Sequence, residues 1–426
     1  MKVFETSFFK NINERYNKIF SLKEIEGEKT LQILSGLIIL GFYITFFFLG
    51  RSSKLATNAV VNKVHTCWPY FQNCESLYFL TGTPLGYTQE IFMAFLFFLL
   101  LVGVYNIYFK KWSNIHKLIL VLFLWEFFIV NVLSYEHIPN YYRYHLILTS
   151  IFLFLPHKLF FFKLSFVFMY FLTTSAKIHE SWIAGTYFTA LQLGFPLVPN
   201  ILVPFFTNLV IFMEMIGAWI LLGAKNIWHK SVFAFYVVFH LCSIIFVGYM
   251  YPTHSMLYLL VLFGPLYKRT KIPTDKKSLF GYCFLLVLLI FQLIPLFIEG
   301  DEKMTLEGNY YGFYMLEANH QCFYEYKFKF SDGSYSENFR AESILSKVRC
   351  DPYKYWFRLK NLCSQNTIDE ISLSFSHSIN GGPFYRIVDE NNVCNLSYKA
   401  FSHNEWIKLP DEAQIDGYPV KNYFNY

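Results

Sequence analysis

The sequence is poor in charge and lacks the short motifs by which many soluble enzymes are recognised. Only 15% of its 426 residues are charged, whereas 54% are hydrophobic and 21% aromatic. It contains no glycine-rich phosphate loop, no HExxH zinc motif and no GxSxG nucleophile motif. No CxxC or HxxxH spacing accompanies its cysteines, which argues against a structural metal site. The composition that remains is typical of a protein that crosses a membrane.

Long apolar runs predict about nine membrane segments, because a helix of about 20 apolar residues spans a bilayer. Two of the runs, 145–155 and 164–175, are short for full crossings and predict tilted or partly re-entrant helices packed against protein. The nine runs are 31–49, 90–109, 118–133, 145–155, 164–175, 201–223, 231–250, 256–267 and 279–298.

The lysines and arginines predict the orientation. The first 30 residues are polar and show no cleavable signal peptide, so the run 31–49 is predicted to be a signal anchor. Basic residues gather in this N-terminal arm and in alternate loops, which places the N-terminus in the cytoplasm and residues 299–426 outside. Residues 301–426 hold 13 Lys and Arg against 17 Asp and Glu, a net charge of −4, so residues 1–300 carry +10 and account for the positive charge of the chain. The charge therefore indicates membrane topology and gives no support to nucleic-acid binding.

The cysteines and the C-terminal segment predict a small exterior domain. Six of the eight cysteines lie in predicted exterior regions, which fits an oxidising compartment and up to three disulfides with open connectivity. A bridge from the first outer loop to the tail would clamp the tail to the membrane domain. The six are Cys67, Cys74, Cys322, Cys350, Cys363 and Cys394.

Alternating aromatic and polar residues in the tail predict strands. Residues 322–330 and 335–339 flank a Ser-Asp-Gly-Ser turn and predict a hairpin, and a helix is predicted near 353–362. A further strand is predicted at 370–377, before the Asn-Gly-Gly turn at 380–382.

The predicted fold is thus a polytopic α-helical membrane protein with a small C-terminal extracytoplasmic α+β domain. It comprises an N-terminal arm (1–30), a helical domain (31–298) and the exterior domain (299–426).

Three ionisable residues lie inside predicted membrane segments, where such groups are rare and are functional candidates. Glu126 is either functional or a protonated hydrogen-bonding group between helices. Glu214 precedes Gly217 and is either functional or a polar link between closely packed helices. His240 is either a neutral interior histidine or a proton carrier or ligand contact.

Lys177 lies where an apolar segment ends, among aromatic residues. A lysine there is either an anchor that reaches the lipid headgroups or a desolvated base.

The surrounding stretch resembles a segment of the vitamin K-dependent γ-glutamyl carboxylases and of their bacterial relatives, the HTTM (horizontally transferred transmembrane) domain proteins. The matching residues here are Tyr170, Lys177, Trp182 and Gly185. Looser matches follow in the same order along the chain, at 214–223, Phe239-His240, 311–316, Asp351-Pro352, 378–389 and Asn395-Leu396.

The resemblance implies an enzyme that modifies glutamate with a lipid quinol. In the family, the lysine matching Lys177 is the base that deprotonates reduced vitamin K, and the reaction consumes O2 and CO2. Reduced vitamin K or a menaquinol-like quinol is therefore the implied cofactor. Lys177 is the implied catalytic base, on a secreted peptide or protein substrate. The candidates for cofactor binding are Glu126, Trp182, Glu214 and His240.

The sequence departs from the family at one position. The family has a histidine after an asparagine, whereas Asn140 is followed here by Tyr141. His137 and His145 lie four residues to either side, and His145, which opens the helix, is the predicted catalytic substitute. Two alternatives stay open: a non-catalytic HTTM-type maturation or export factor for a secreted peptide, and a membrane protein that binds lipid or quinone.

Overall fold

The computed structural model describes residues 7–53, 66–74, 76, 88–128, 131, 140–189, 194–195, 198–247, 250–300, 302–314, 318–336, 339–344, 350–364 and 367–418. Helices dominate this part of the chain up to Phe297, and a five-stranded sheet follows. The α-helices, numbered in chain order, are α1 (Ser7–Ile19), α2 (Leu22–Gly27), α3 (Lys29–Ser53), α4 (Thr88–Tyr108), α5 (Trp112–Phe128), α6 (Asn140–Phe154), α7 (Lys158–Ser175), α8 (Glu180–Ile183), α9 (Thr186–Thr189), α10 (Val203–Phe212), α11 (Ala218–Ile220), α12 (Ile227–Val247), α13 (Met250–Phe263), α14 (Lys276–Leu293) and α15 (Pro352–Leu362).

Four helical stretches of the described chain are long and apolar enough to cross a membrane. They are Lys158–Ser175, Asn200–Ile220, Ile227–Ile245 and Lys276–Phe297. The last three are only 22–28% buried, so most of their apolar side chains face outward, as expected of helices in contact with lipid.

The predicted number of about nine segments is not confirmed. The other predicted runs also form helices, but three of these, Lys29–Ile44, Ala94–Tyr108 and Arg143–Phe154, are shorter apolar stretches within the described side chains. Part of the run 118–133 lies outside the described residues, since α5 is described to Phe128.

The predicted short segment 164–175 is longer than expected, because α7 already begins at Lys158. The Lys158 side chain is fully buried, and its Nζ donates to the carbonyl oxygen of Phe152 at 2.6 Å and to those of Leu153 and Leu155 at 3.2 Å. These are carbonyl groups at the end of α6 that have no partner within their own helix. The hydropathy pattern treated this lysine as part of a polar loop, whereas it caps the neighbouring helix.

The chain divides into two compact units that are not continuous in sequence. Unit 1 consists of Met1–Lys63, Cys74–Met169 and Gly217–Leu286, and unit 2 of Val64–Asn73, Tyr170–Ile216 and Val287–Tyr426. This division differs from the contiguous one drawn from the sequence, since unit 2 combines the tail with residues 170–216.

In unit 1 the helix α3 contacts α4, α5, α6 and α13. Its side chains Leu34 and Ile38 are buried, as are Ile119 of α5, Leu148 of α6 and Tyr258 of α13. The burial of side chains from these four helices places any polar residue on their inner faces out of contact with water.

In unit 2 the tail forms an antiparallel sheet with strand order β2-β1-β3-β4-β5. The predicted hairpin, helix and third strand are confirmed, although β2 begins later than expected. Asn380 and Gly381 have φ values of 51° and 77°, as the primed turn between β3 and β4 requires. The strands are β1 (His320–Phe330), β2 (Phe339–Ile344), β3 (Ile368–Ile379), β4 (Phe384–Glu390) and β5 (Gln414–Gly417).

The helix α15 packs on this sheet. The Asp351 side chain caps it by accepting a hydrogen bond from the Tyr353 backbone N–H, and Pro352 occupies its first turn. The Tyr355 ring lies 5.0 Å from the Phe375 ring of β3. The Tyr353 hydroxyl donates to the carbonyl oxygen of Cys67 at 2.8 Å, which holds the segment around Cys67 against α15.

The predicted disulfides are confirmed. Cys322 is bonded to Cys350 and Cys363 to Cys394, and Cys67 and Cys74 are also disulfide-bonded. All four tail cysteines pair within the tail, so none of them forms the clamp to the first outer loop that the sequence left open. The bonds indicate an oxidising compartment for this domain.

Glu307 joins the start of the tail to its C-terminal loop. Its carboxylate accepts hydrogen bonds from the Asn404 backbone N–H at 2.8 Å and from the Asn404 side chain at 2.7 Å. The His403 ring lies 2.7 Å from the other carboxylate oxygen. Burial raises the pKa of Glu307 above its ordinary 4.5, against the opposing effect of these hydrogen bonds.

We expect removal of the Cys363–Cys394 bond to destabilise the tail. The bond closes a stretch of 31 residues, and loss of such a constraint on the unfolded chain costs about 3 kcal/mol. The measurement is denaturant unfolding of the full chain in detergent, followed by the fluorescence of Trp356 and Trp406. The matched control removes the free cysteines Cys242 and Cys283. Equal effects of the two double serine variants would contradict the prediction.

We also expect Glu307→Gln to change how the stability of the tail depends on pH. The raised pKa means that the folded state binds this proton more tightly than the unfolded state. The protonated Glu307 side chain therefore contributes fully to the stability of the folded state below pH 4.5, and this contribution is lost as the pH rises through the folded-state pKa. Because the glutamine cannot titrate, the unfolding midpoint of Glu307→Gln should depend less on pH over this range than that of the wild type. The control is Glu405→Gln, at a side chain that is 91% exposed, and its midpoint should follow the wild type. A wild-type midpoint that rises with pH in this window would refute the assignment.

Candidate functional site

Lys177 follows the last turn of α7 and is buried. Its backbone N–H donates to the Thr174 carbonyl oxygen at 2.8 Å, which turns the chain at the end of the helix. Its Nζ lies 2.8 Å from Oε2 of Glu214, and the two side chains are 6% and 3% exposed. A headgroup anchor would extend into the solvent. Lys177 instead forms a buried ion pair with Glu214 and does not extend into the solvent.

Glu214 reaches Lys177 from an unusual turn of helix. Residues Met213–Gly217 form a π-helical turn between α10 and α11. Single π turns interrupt α-helices frequently at functional sites, because the extra residue redirects a side chain. The Thr174 hydroxyl donates to the same Oε2 at 2.5 Å. Glu214 Oε2 thus accepts hydrogen bonds from both the Lys177 ammonium and the Thr174 hydroxyl group.

Aromatic rings form one wall of this cluster. The Trp182 ring centroid lies 5.4 Å from Lys177 Nζ, within range of a cation–π interaction. Trp182 in turn packs against Tyr187 at 5.0 Å and Phe188 at 5.4 Å. Gly185 has a φ of 75°, and a Cβ atom there would lie 2.9 Å from Val203. Its lack of a side chain therefore allows the Trp182 turn to pack closely on the start of α10.

A second cluster lies in unit 1. Nδ1 of His145 lies 3.2 Å from Oε2 of Glu126, and Nε2 lies 3.2 Å from the carbonyl oxygen of Ile38. Glu126 and His145 are both fully buried. The sequence named them separately, one for cofactor binding and one for catalysis, whereas the structure pairs them with each other.

The remaining predicted site residues are placed as follows. His240 is buried in α12 of unit 1, and its ring lies 5.4 Å from that of Phe239 and 6.4 Å from that of Tyr251. Tyr141 is the second residue of α6, and His137 lies outside the described residues. The structure therefore brings together Lys177, Glu214 and Trp182 in unit 2, and Glu126 with His145 in unit 1.

Sequence reasoning missed three polar members of these clusters. Thr174 lies one helical turn before Lys177, a spacing that could have suggested a shared partner. His254 and Tyr258 of α13 lie beside His145: the His145 and His254 rings are 5.4 Å apart, and the His254 and Tyr258 rings are 4.9 Å apart. His254 and Tyr258 are four residues apart, a spacing that places two side chains next to each other on one face of a helix, and the sequence could have been searched for it. Among the described residues, no group of three or more His, Cys, Asp or Glu is arranged to hold a metal ion.

Comparisons with known proteins identify no relative. No protein-family model matches the chain, and no curated protein and no solved structure is significantly similar to it. The resemblance to the carboxylases thus depends on the matching residues alone.

We expect that Glu214→Ala strongly destabilises the protein, because it leaves the Lys177 ammonium buried without a counter-ion. Breaking a buried pair on one side costs about 3–5 kcal/mol, whereas replacing both partners by apolar residues is close to neutral. The double variant Lys177→Met/Glu214→Met should therefore be more stable than Glu214→Ala. Thermal unfolding in detergent measures both, and a double variant that is less stable than the single one would contradict the assigned pairing.

Proposed function

We propose that the protein is an integral membrane enzyme that uses Lys177 as a base on a lipid-soluble quinol and modifies glutamate in a secreted peptide or protein. One observation carries this proposal: Lys177 is buried beside an aromatic wall, 2.8 Å from a carboxylate that can take its proton. A base that acts on a weakly acidic hydroxyl must be weakly solvated and must present a neutral amine. The resemblance of residues 170–187 to the carboxylase segment supports the same role.

The residues of the cluster suit a hydroxylated aromatic ligand. One hydrogen of the Lys177 side-chain nitrogen is donated to Glu214, and the nitrogen can form further hydrogen bonds to a ligand. The Trp182 ring offers a flat apolar face on which a ligand ring can stack. Lys177 and Trp182 would hold the quinol, with Glu214 behind the lysine. When bound, such a quinol would on oxidation by O2 supply a base strong enough to remove the γ-proton of glutamate, and the resulting carbanion could then add CO2. Glu126 and His240 belong to the other unit and have no part in this assignment.

The chain's own groups can prepare the amine. Along the 2.8 Å hydrogen bond, one proton passes from Lys177 Nζ to Glu214 Oε2 and converts the ion pair into a neutral amine and a carboxylic acid. Burial away from water lowers the cost of this transfer relative to the same step in solution, because charged groups lose more solvation than neutral ones. The free electron pair on Nζ then accepts a proton from the ligand hydroxyl. The Thr174 hydroxyl keeps Oε2 oriented in both states.

The proposed topology has nine crossings, with the N-terminus in the cytoplasm and the disulfide-bonded tail outside. The basic loops and the position of the cysteines support this orientation. A quinol in the membrane and a substrate outside could then reach the same protein. The partners are membrane lipid and a secreted glutamate-containing chain.

A second candidate function is quinone binding without carboxylation. Two observations favour it: Tyr141 replaces the expected histidine, and Lys177 already has a partner that holds it as an ion pair.

The test measures incorporation of labelled CO2 into a glutamate-rich peptide by membranes supplied with menaquinol or vitamin K quinol. We expect quinol-dependent incorporation by the wild type and a loss of at least about 100-fold for Lys177→Met, the usual size of a general-base effect. Lys225→Met, at an exposed lysine that contacts a backbone carbonyl, is the matched control and should keep full activity.

Three outcomes separate the candidates. Full activity of Lys177→Met would exclude the base. If the wild type is inactive but copurifies with a quinone, and the Lys177→Met variant does not retain that quinone, the second candidate function would be established. An inactive wild type that retains no quinone would overturn both.

A further inference from the structure

A buried polar cluster lies inside unit 1, at the meeting point of four helices. Glu126 comes from α5, His145 from α6, and His254 and Tyr258 from α13, while α3 contributes the Ile38 carbonyl group. The Glu126 and His145 side chains are fully buried and Tyr258 is 1% exposed. Polar groups so far from water need partners, and their arrangement shows which ones they have.

The hydrogen bonds of His145 determine where its protons are. A carbonyl oxygen can only accept, so the bond to Ile38 requires a hydrogen on Nε2. Nδ1 then faces Glu126 Oε2 at 3.2 Å. Either Glu126 is protonated and donates to a neutral imidazole, or the imidazole is doubly protonated and donates to a carboxylate. In both cases one proton lies between the two side chains, because a bare Nδ1 and a carboxylate would repel each other.

Three further atoms of the cluster are buried without a hydrogen-bond partner in the described part of the chain. They are Oε1 of Glu126, Nε2 of His254 and the hydroxyl group of Tyr258. An unsatisfied buried polar group costs about 1–3 kcal/mol. An ordered water with two to four polar partners is the usual remedy, and these three groups supply both donors and acceptors.

Gly41 shows that the close approach of α3 is built into the sequence. A Cβ atom at this position would lie 2.5 Å from His145 Nε2 and 3.1 Å from Cε1 of His254. Any larger residue would displace the histidine that bonds to Ile38. The helix therefore packs against the two histidines only because residue 41 has no side chain.

Among the described residues, no lysine or arginine acts electrostatically on Glu126 or His145. The nearby Tyr144 of α6 interacts with Tyr251 and with Tyr258 of α13. Neutral tyrosines do not compensate a carboxylate in a low-dielectric interior. The Glu126–His145 pair thus stays neutral overall by keeping its proton.

We propose that Glu126, His145, His254 and Tyr258 form a proton-binding site in the interior of unit 1, with ordered water as its second ligand. The proton moves between Oε2 of Glu126 and Nδ1 of His145 while Nε2 keeps its hydrogen. Water bound at Oε1 of Glu126, Tyr258 and His254 connects the pair to neighbouring hydrogen-bonding groups. This site does not depend on Lys177 or on the proposed carboxylation.

The test uses the full chain in lipid nanodiscs and two spectroscopic readouts, one for each form of the pair. Infrared spectra in H2O and D2O detect a protonated carboxyl group, and ¹⁵N NMR of labelled histidine reports the protonation of both His145 nitrogens. If Glu126 holds the proton, we expect a deuterium-sensitive carboxylic-acid band in the infrared spectrum. If His145 holds it, we expect the nitrogen signals of a doubly protonated imidazole. Glu126→Gln should abolish whichever of these two signals the wild type shows. Glu405→Gln, at an exposed carboxylate, is the control and should leave it unchanged.

An ionised Glu126 beside a neutral His145 in the wild type would overturn the proposal, and this result is decisive even if Glu126→Gln does not fold. The water is tested by Tyr258→Phe, which should shift the band or the His145 nitrogen signal. Tyr282→Phe, which removes a hydroxyl that donates to the Pro273 carbonyl oxygen, should not shift it. Identical spectra of Tyr258→Phe and the wild type would refute the bound water.

Discussion

Charge neutralisation in an apolar interior is the constraint on which the rest of this structure depends. An unpaired charge costs far more in a low-dielectric medium than any single apolar contact contributes. Three buried ionisable groups have a partner that meets this cost: Lys177 has Glu214, Glu126 has His145, and Lys158 has the carbonyl groups at the end of α6. The helices are positioned so that these partners meet, which explains the π turn at Glu214 and the glycine at position 41.

The two ion-pair clusters differ in chemistry. The Lys177–Glu214 pair has a hydroxyl donor on its carboxylate and an aromatic face over its ammonium, which suits reversible proton transfer next to a ring-shaped ligand. The Glu126–His145 pair is held by a backbone carbonyl and lies among further polar atoms that lack partners. It is therefore suited to holding a proton rather than to contacting a bulky ligand. Both clusters lie in helices whose outer faces are apolar, and both could operate within a membrane.

The tail is stabilised in a different way. It is a small antiparallel sheet with one packed helix, and its disulfides restrict the unfolded chain where the core alone is limited. Here the local sequence predicted much of the structure: alternating residues predicted β1 and β3, a helix was predicted near 353–362, and Asn-Gly-Gly at 380–382 predicted a tight turn. The pairing of the cysteines was not predictable, because six cysteines allow many connectivities and spacing does not distinguish them.

The sequence by itself determined most helices of the described chain up to Phe297, the elements β1, β3 and α15 of the tail, and the polar residues that an apolar helix would not contain without a reason. Hydropathy works at this level because it reads each helix separately. Only the tertiary structure decided which of these residues meet, since Lys177 and Glu214 are 37 residues apart and His145 and Ile38 are 107 apart. It also changed Lys177 from a possible anchor to one half of a pair, and Lys158 from a loop residue to a helix cap. Local patterns cannot carry this information, because a side chain's partner is set by the packing of helices that are distant in sequence.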